Sequence, residues 1–382
     1  MIWPITLGVS ALVIAVIALT LAITVVRRIG SRDPLSVPPF WRRMLRIKPI
    51  SAATAEHTGA LAGRERQLIA FVANPSKNGV AELRERAMRA CSERYLPEPL
   101  WLHTTVEDPG TGQAAAAIAQ GADVVVAIGG DGTVRAVADA LAGTDVAMGI
   151  IPMGTGNLFA RNLDLPLTDT TALLRTVLEG ADQRVDVGYM DVERAFPGHG
   201  EDGRHLFLVM AGAGMDAEMV ASADATLKKR VGWLAYFFAA IEHLGDKRMK
   251  VTVAVDDGPS TTTEMRTVLL ANAGRLPGGL QLIPDASITD GELDIATLDA
   301  RGGLVGWTEL FGSVVAQGAG IKQSEVLRAW RTSRIDHARA KSVSIEMESP
   351  QRVQVDGESL GRAIRLRGHI EPAALTVRIP VD

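Results

Sequence analysis

A single cysteine, Cys91, in 382 residues leaves no internal disulfide and no cysteine-based metal cluster. It falls in a helical pattern over 81–95, where a packed thiol fits better than a reactive one. The seven histidines show no zinc-ligand spacing. A basic excess is also missing. Forty Lys and Arg stand against 44 Asp and Glu, a formal net charge of −4, which argues against nucleic acid as the partner. No internal repeat is evident. What is present is length and apolar content, 47% hydrophobic, enough for one large domain or two medium ones.

Charge disappears entirely from Ile5 to Val26, an apolar run long enough to cross a bilayer as a helix. No basic stretch precedes it, so a membrane anchor is expected rather than a cleaved signal peptide. Arg27, Arg28 and Arg32 follow at once, then Arg42, Arg43, Arg46 and Lys48 around Phe40 and Trp41, opposed by Asp33. The positive-inside rule puts this side in the cytoplasm. The expectation is a single-pass inner-membrane protein with its catalytic part cytoplasmic. The basic stretch suits anionic lipid headgroups, and equally a solvated linker. The organisation expected is an anchor over 1–30, a basic linker over 31–65, an α/β domain over 66–183 and a β-rich domain over 184–382.

From Leu68 onward strands and helices alternate: strands over 68–73, 101–104, 124–128 and 147–151, helices over 81–95, 113–120, 134–142 and 157–162. That rhythm predicts a parallel sheet covered on both faces. After about residue 184 strand-like runs follow one another between Gly, Pro and Asp turns, predicting a mostly antiparallel second domain. Helical stretches over 225–244 and 304–317 interrupt it. The stretch 369–379 is expected to return toward the first domain. The aromatic run Val231 to Phe238 suits core packing, or an apolar lip at the entrance to a binding site.

Three of the first-domain strands end in glycine-rich turns. Val124 to Ile128 runs into Gly129-Gly130-Asp131-Gly132-Thr133 and then Val134, Arg135 and Ala136. Glycines let backbone approach a ligand closely, and a following helix N-terminus favours phosphate. An aspartate there does not bind phosphate itself; it suits a metal, a water or the orientation of the reacting group. The first strand ends in Asn74-Pro75-Ser76-Lys77-Asn78-Gly79, where Lys77 adds positive charge. The third turn is Gly154-Thr155-Gly156-Asn157, after Pro152-Met153. Ligands of open α/β sheets sit at the carboxyl ends of the strands, so three such turns side by side make a polyphosphate site.

These motifs, with a late Asp356-Gly357-Glu358, resemble the diacylglycerol kinase catalytic-domain family, and most closely its bacterial lipid kinases related to sphingosine and ceramide kinases. The resemblance runs from about Arg66 onward with all four motifs in order. It implies ATP held by the three turns and by Thr105, and Mg²⁺ beside Asp131. It also implies a general base at Glu358, where turn chemistry alone reads a structural hairpin. A second implied Mg²⁺ sits on the carboxylate-rich loop over 284–294, held by Asp290 with the carbonyls of Ser287 and Glu292. Asp216, in Gly214-Met-Asp216, is a candidate on the substrate side, or a buried turn contact.

The expected function is phosphoryl transfer from ATP to a lipid hydroxyl, most simply diacylglycerol giving phosphatidic acid. Two alternatives stand beside it: an NAD kinase-like enzyme for a soluble acceptor, and a silent membrane-tethered nucleotide-binding regulator. A sphingoid base, a monoacylglycerol or a polyprenol would leave similar motifs, and a homodimer is compatible with the sequence.

Overall fold

A computed structural model describes residues 67–194, 203–214, 248–276, 282–283, 286–300 and 333–381. The apolar run 5–26, the basic linker, Asp216, the helical stretches 225–244 and 304–317 and the 231–238 aromatics lie outside them. Among the described residues no helix is long and apolar enough to cross a membrane.

The first half alternates as its sequence demands. β1 (Ile69–Ala73), α1 (Val80–Glu93), β2 (Leu100–His103), α2 (Thr111–Ala119), β3 (Val124–Gly129), α3 (Asp131–Leu141) and β4 (Ala147–Pro152) lead to α4 (Leu158–Asn162) and α5 (Thr170–Glu179). Every residue of β1, β3 and β4 is buried, as parallel strands covered on both faces must be. The parallel strands lie in the order β4-β3-β1-β2. The chain therefore steps from β1 to β2 on one side, then crosses back past β1 to β3 and on to β4 on the other. The crevice between the carboxyl ends of β1 and β3 is the switch point where such sheets bind ligands.

Two local differences from the sequence reading matter. α3 starts at Asp131, three residues ahead of the expected Val134, because extended Gly130 serves as its N-cap and Asp131 suits the positive end of the helix. α5 was not singled out by the strand-and-turn pattern. Its signal is Asp169, whose carboxylate accepts the N–H groups of Thr171 and Ala172 ahead of buried Leu173, Leu174 and Val177.

The second half is β-rich: β5 (Ala181–Arg194), β6 (Gly203–Phe207), β7 (Met210–Ala213), β8 (Met249–Val255), β9 (Thr261–Met265), β10 (Thr267–Ala271), β11 (Leu293–Ala300), β12 (Ser333–Ala340), β13 (Ser342–Val355) and β14 (Glu358–Ile379). Apart from one link, the pairings here are antiparallel. The exception is β14, which runs parallel to β4 with Val377 beside Met148. All described strands thus join one mixed sheet, wrapped around two apolar cores. β14 bends between Glu371 and Leu375, where Ala373 takes φ 51. Past the bend, buried Arg378 donates to Asp182 at 2.5 Å, to the Val177 carbonyl at 3.1 Å and to Gln67 at 3.1 Å.

Candidate active site

The three glycine-rich turns converge at the rim of the parallel sheet. Asn74 organises the first. Its Oδ1 accepts the Ser76 N–H at 3.0 Å and the Ser76 hydroxyl at 2.7 Å. Its own N–H donates to the Ile128 carbonyl at 2.9 Å, fastening the turn to the end of β3. Lys77 is half-buried, Pro75, Ser76 and Asn78 are exposed, and α1 starts after Gly79 in the left-handed region. Thr105 stays on this rim because the Thr104 N–H donates to the Ala73 carbonyl, but its hydroxyl serves a local turn, accepting the Asp108 N–H at 3.0 Å.

The second and third turns meet backbone to backbone. The Met153 N–H donates to the Gly129 carbonyl at 2.6 Å. A Cβ on Gly154 would lie 2.8 Å from the Gly130 Cα, so only glycine permits this approach. Asn157, at φ 49, closes the third turn on itself: Oδ1 accepts the Gly154 N–H and Nδ2 donates to the Gly154 carbonyl, both at 2.9 Å. Gly132 and Thr155 face solvent. Thr133, Val134 and Ala136, expected among the nucleotide contacts, are buried, with the Thr133 side chain packed against Gly129 of the same turn. Helical period turns them inward once the helix begins at Asp131.

Asp131 joins these turns. Its Oδ2 accepts the Asn157 N–H at 2.9 Å and its Oδ1 the Leu158 N–H at 2.6 Å. The side chain thus caps α4, the helix of the neighbouring turn. Burial pushes its carboxyl pKa up, and the amide bonds with nearby Arg161 pull it back. The sequence assigns Asp131 to a metal beside the phosphates; the structure spends both oxygens on a brace between two phosphate turns. We derive no metal step through it.

Opposite this rim stands the β13–β14 hairpin. Asp356 and Gly357 both take positive φ, 45° and 84°, the backbone of a tight two-residue turn. Half-buried Asp356 fixes the turn in place. Its carboxylate accepts the N–H groups of Leu208 at 2.8 Å, Val209 at 2.9 Å and Met210 at 3.0 Å. Burial raises its pKa, with the three amides acting against that rise. Sequence spacing had flagged Asp356 as part of a motif without a task; its task is to hold the next residue but one. That residue, Glu358, is ion-paired to Arg135 at the start of the second turn of α3. The carboxylate is 59% exposed and the guanidinium 18%, so the arginine is the fixed partner.

The acidic loop lies beside the bend of β14. Buried Asp186 ties the two together, accepting the Gly291 N–H and the Ala373 N–H, each at 2.7 Å. Nothing in the sequence marked Asp186. Asp290 Oδ1 accepts the Glu292 N–H at 3.2 Å, and Arg339 lies 3.9 Å from Asp290, 3.7 Å from Glu292 and 3.3 Å from Asp294. Among the described residues no three His, Cys, Asp or Glu side chains cluster as a metal site. A set of one carboxylate and two carbonyls needs no such cluster. Asp290 keeps an oxygen edge partly open to solvent, so the hard-oxygen set of Asp290, Ser287 and Glu292 fits Mg²⁺ chemically.

Comparison with known proteins finds two family matches along the chain. Residues 69–190 match the profile of the diacylglycerol kinase catalytic domain, and residues 209–379 that of the YegS C-terminal NAD kinase beta sandwich-like domain. A probable lipid kinase YegS-like from Pseudomonas putida is 31% identical over 271 residues, 70% of this chain and 80% of that protein. The chain belongs to the diacylglycerol kinase catalytic-domain family. As a member it is an ATP-dependent kinase. A probable lipid kinase YegS-like from Xanthomonas campestris is 32% identical over 276 residues, 70% of this chain and 82% of its own. An uncharacterized Synechocystis protein is 30% identical over 267 residues, 69% of this chain but 56% of that protein. A crystal structure of a putative diacylglycerol kinase from Bacillus anthracis shares the fold of this family member at a TM-score of 0.62 and 23% identity, covering 82% of this chain and 96% of the other.

Proposed function

We propose that this kinase transfers the γ-phosphate of ATP to a lipid hydroxyl, with diacylglycerol as acceptor and phosphatidic acid as product. The observation that carries the proposal is the position of Glu358, brought by a braced hairpin to Arg135, near the N-terminal end of the helix at the Gly-Gly-Asp-Gly-Thr turn. Phosphoryl transfer asks the protein chiefly for positioning and charge stabilisation, and for a group to accept the hydroxyl proton.

The division of labour follows. The Asn74 to Gly79 turn and the fused second and third turns cradle the triphosphate through backbone N–H groups, Lys77 and the N-terminal end of α3. Glu358 accepts the acceptor's proton, and Arg135 orients it and supplies positive charge toward the phosphates. In the acidic loop, Mg²⁺ would be held by Asp290 with the carbonyls of Ser287 and Glu292, supplying charge neutralisation. A lipid acceptor agrees with the uncharged run 5–26 and its basic flank, which would hold the enzyme at the cytoplasmic face of the inner membrane, among anionic headgroups.

The test is transfer of labelled γ-phosphate in mixed micelles to a panel of lipid alcohols, with NAD as the soluble control and Glu358→Gln alongside. Label in diacylglycerol that disappears with Glu358→Gln is the expected result. Label in NADP, or in no lipid, would overturn it.

A further inference from the structure

His205 lies within electrostatic reach of Glu358 and serves none of the roles above. It lies on β6, opposite Met190 of β5, and shares its face of the strand with Phe207. Met190 and Phe207 are both fully buried in the second core, so this face of β6 adjoins the apolar interior of the β-rich half. The ring nitrogen Nε2 is buried and has no hydrogen-bond partner. A buried polar atom left unpaired is costly, and such an atom in a native site calls for a reason.

Its neighbours supply one. The groups acting on the imidazole are Arg135, Arg194, Glu358 and Asp139. Arg135 holds the Glu358 carboxylate, and Arg194 donates to the carbonyl of Leu360, two residues further along the same strand. His205 therefore stands among the two arginines that brace the start of β14, within electrostatic reach of the base. Burial, followed by the two arginines, lowers its pKa and keeps the ring neutral. A neutral imidazole offers at Nε2 either a lone pair or an N–H, according to tautomer.

We propose that His205 forms a second polar subsite of the acceptor pocket, hydrogen-bonding an oxygen of the acceptor adjacent to the hydroxyl that Glu358 addresses. The acceptor class this selects is a lipid with a vicinal oxygen, a glycerolipid with its second hydroxyl or ester, over a simple long-chain alcohol. The inference rests on the assignment of Glu358 to the acceptor hydroxyl. It goes beyond that assignment in naming what the pocket recognises.

The experiment compares wild type, His205→Phe and His205→Gln in mixed micelles at saturating ATP. The acceptors are a diacylglycerol, a monoacylglycerol and a long-chain primary alcohol; for the alcohol, its inhibition constant against the glycerolipid is read if turnover is too slow. His205→Phe is expected to raise KM for both glycerolipids about tenfold, the size of one hydrogen bond in a desolvated site. The constant for the alcohol and the KM for ATP should stay within about twofold, and His205→Gln should recover part of the loss. Equal effects on alcohol and glycerolipid, or none on either, would overturn the subsite while leaving the lipid kinase reading intact. Absence of transfer by wild type to every lipid would instead overturn the reading beneath it. Thermal unfolding of each variant separates a folding defect from a recognition defect.

Discussion

The guanidinium of Arg135 is paired with the carboxylate of Glu358 across 223 positions of sequence. One residue belongs to the helix that follows the central phosphate turn, the other to the hairpin of the β-rich half. In the proposed reaction their contact is where the donor and acceptor sides meet. A half-exposed ion pair contributes little to stability, about 0–1 kcal/mol. Arg135→Ala should therefore leave the unfolding midpoint nearly unchanged while lowering kcat at least about tenfold. Arg135→Lys, which keeps charge but loses the planar fork, should fall between. Steady-state kinetics beside thermal melts decides the matter; a large loss of stability without a kinetic effect would make the pair merely structural.

Asp356 carries a different weight. Removing its carboxylate orphans the N–H groups of Leu208, Val209 and Met210, so Asp356→Ala should destabilise the fold by about 2–4 kcal/mol in urea unfolding. Its folded pKa lies above the ordinary 3.8. Between those two values the folded state holds more protons than the unfolded, so this group's contribution to stability is larger below 3.8 and shrinks as pH rises through the folded value. Asp356→Asn, which cannot titrate, should remove that slope. A difference between wild type and Asp356→Asn that does not change with pH would count against the raised value.

Cys91 is 1% exposed on the inner face of α1, and burial pushes its thiol up to about 11. Alkylation by iodoacetamide at pH 8 should be negligible in the native enzyme and rapid in denaturant. The same site then reports opening of α1 from the sheet. Rapid labelling of native protein would place the thiol in solvent.

If Mg²⁺ occupies the acidic loop, millimolar Mg²⁺ should raise the unfolding midpoint by linkage, and EDTA should reverse it. Asp290→Asn should abolish the increment, with Asp186→Asn reducing it by loosening Gly291. An unchanged Mg²⁺ response in Asp290→Asn would place the ion elsewhere.

Much of this was legible in the chain. Each glycine-rich turn alone is ordinary turn chemistry; three of them, put on one rim by βα alternation, are what read as a site. What joins the turns was not legible. Asp131 looks like a metal ligand until the amides of Asn157 and Leu158 are seen beside it, and backbone amides leave no trace in a sequence. Asp186 and Asp356 are hidden for the same reason: each is recognised by the N–H groups it receives from distant segments. Arg135 read as a phosphate residue from its place after the turn. Its partner became visible once β14 had been brought across the molecule.

That strand has one more effect. β14 opens with Glu358, the proposed base, and ends alongside β4, with Val377 beside Met148, covering what would otherwise be the bare edge of the parallel sheet. A fragment cut off after α5 would keep all three phosphate turns. It would also expose β4 as a long apolar edge, open to pairing with other chains. The nucleotide half is therefore not a module that can be lifted out: what makes it catalytic also keeps it from sticking to copies of itself.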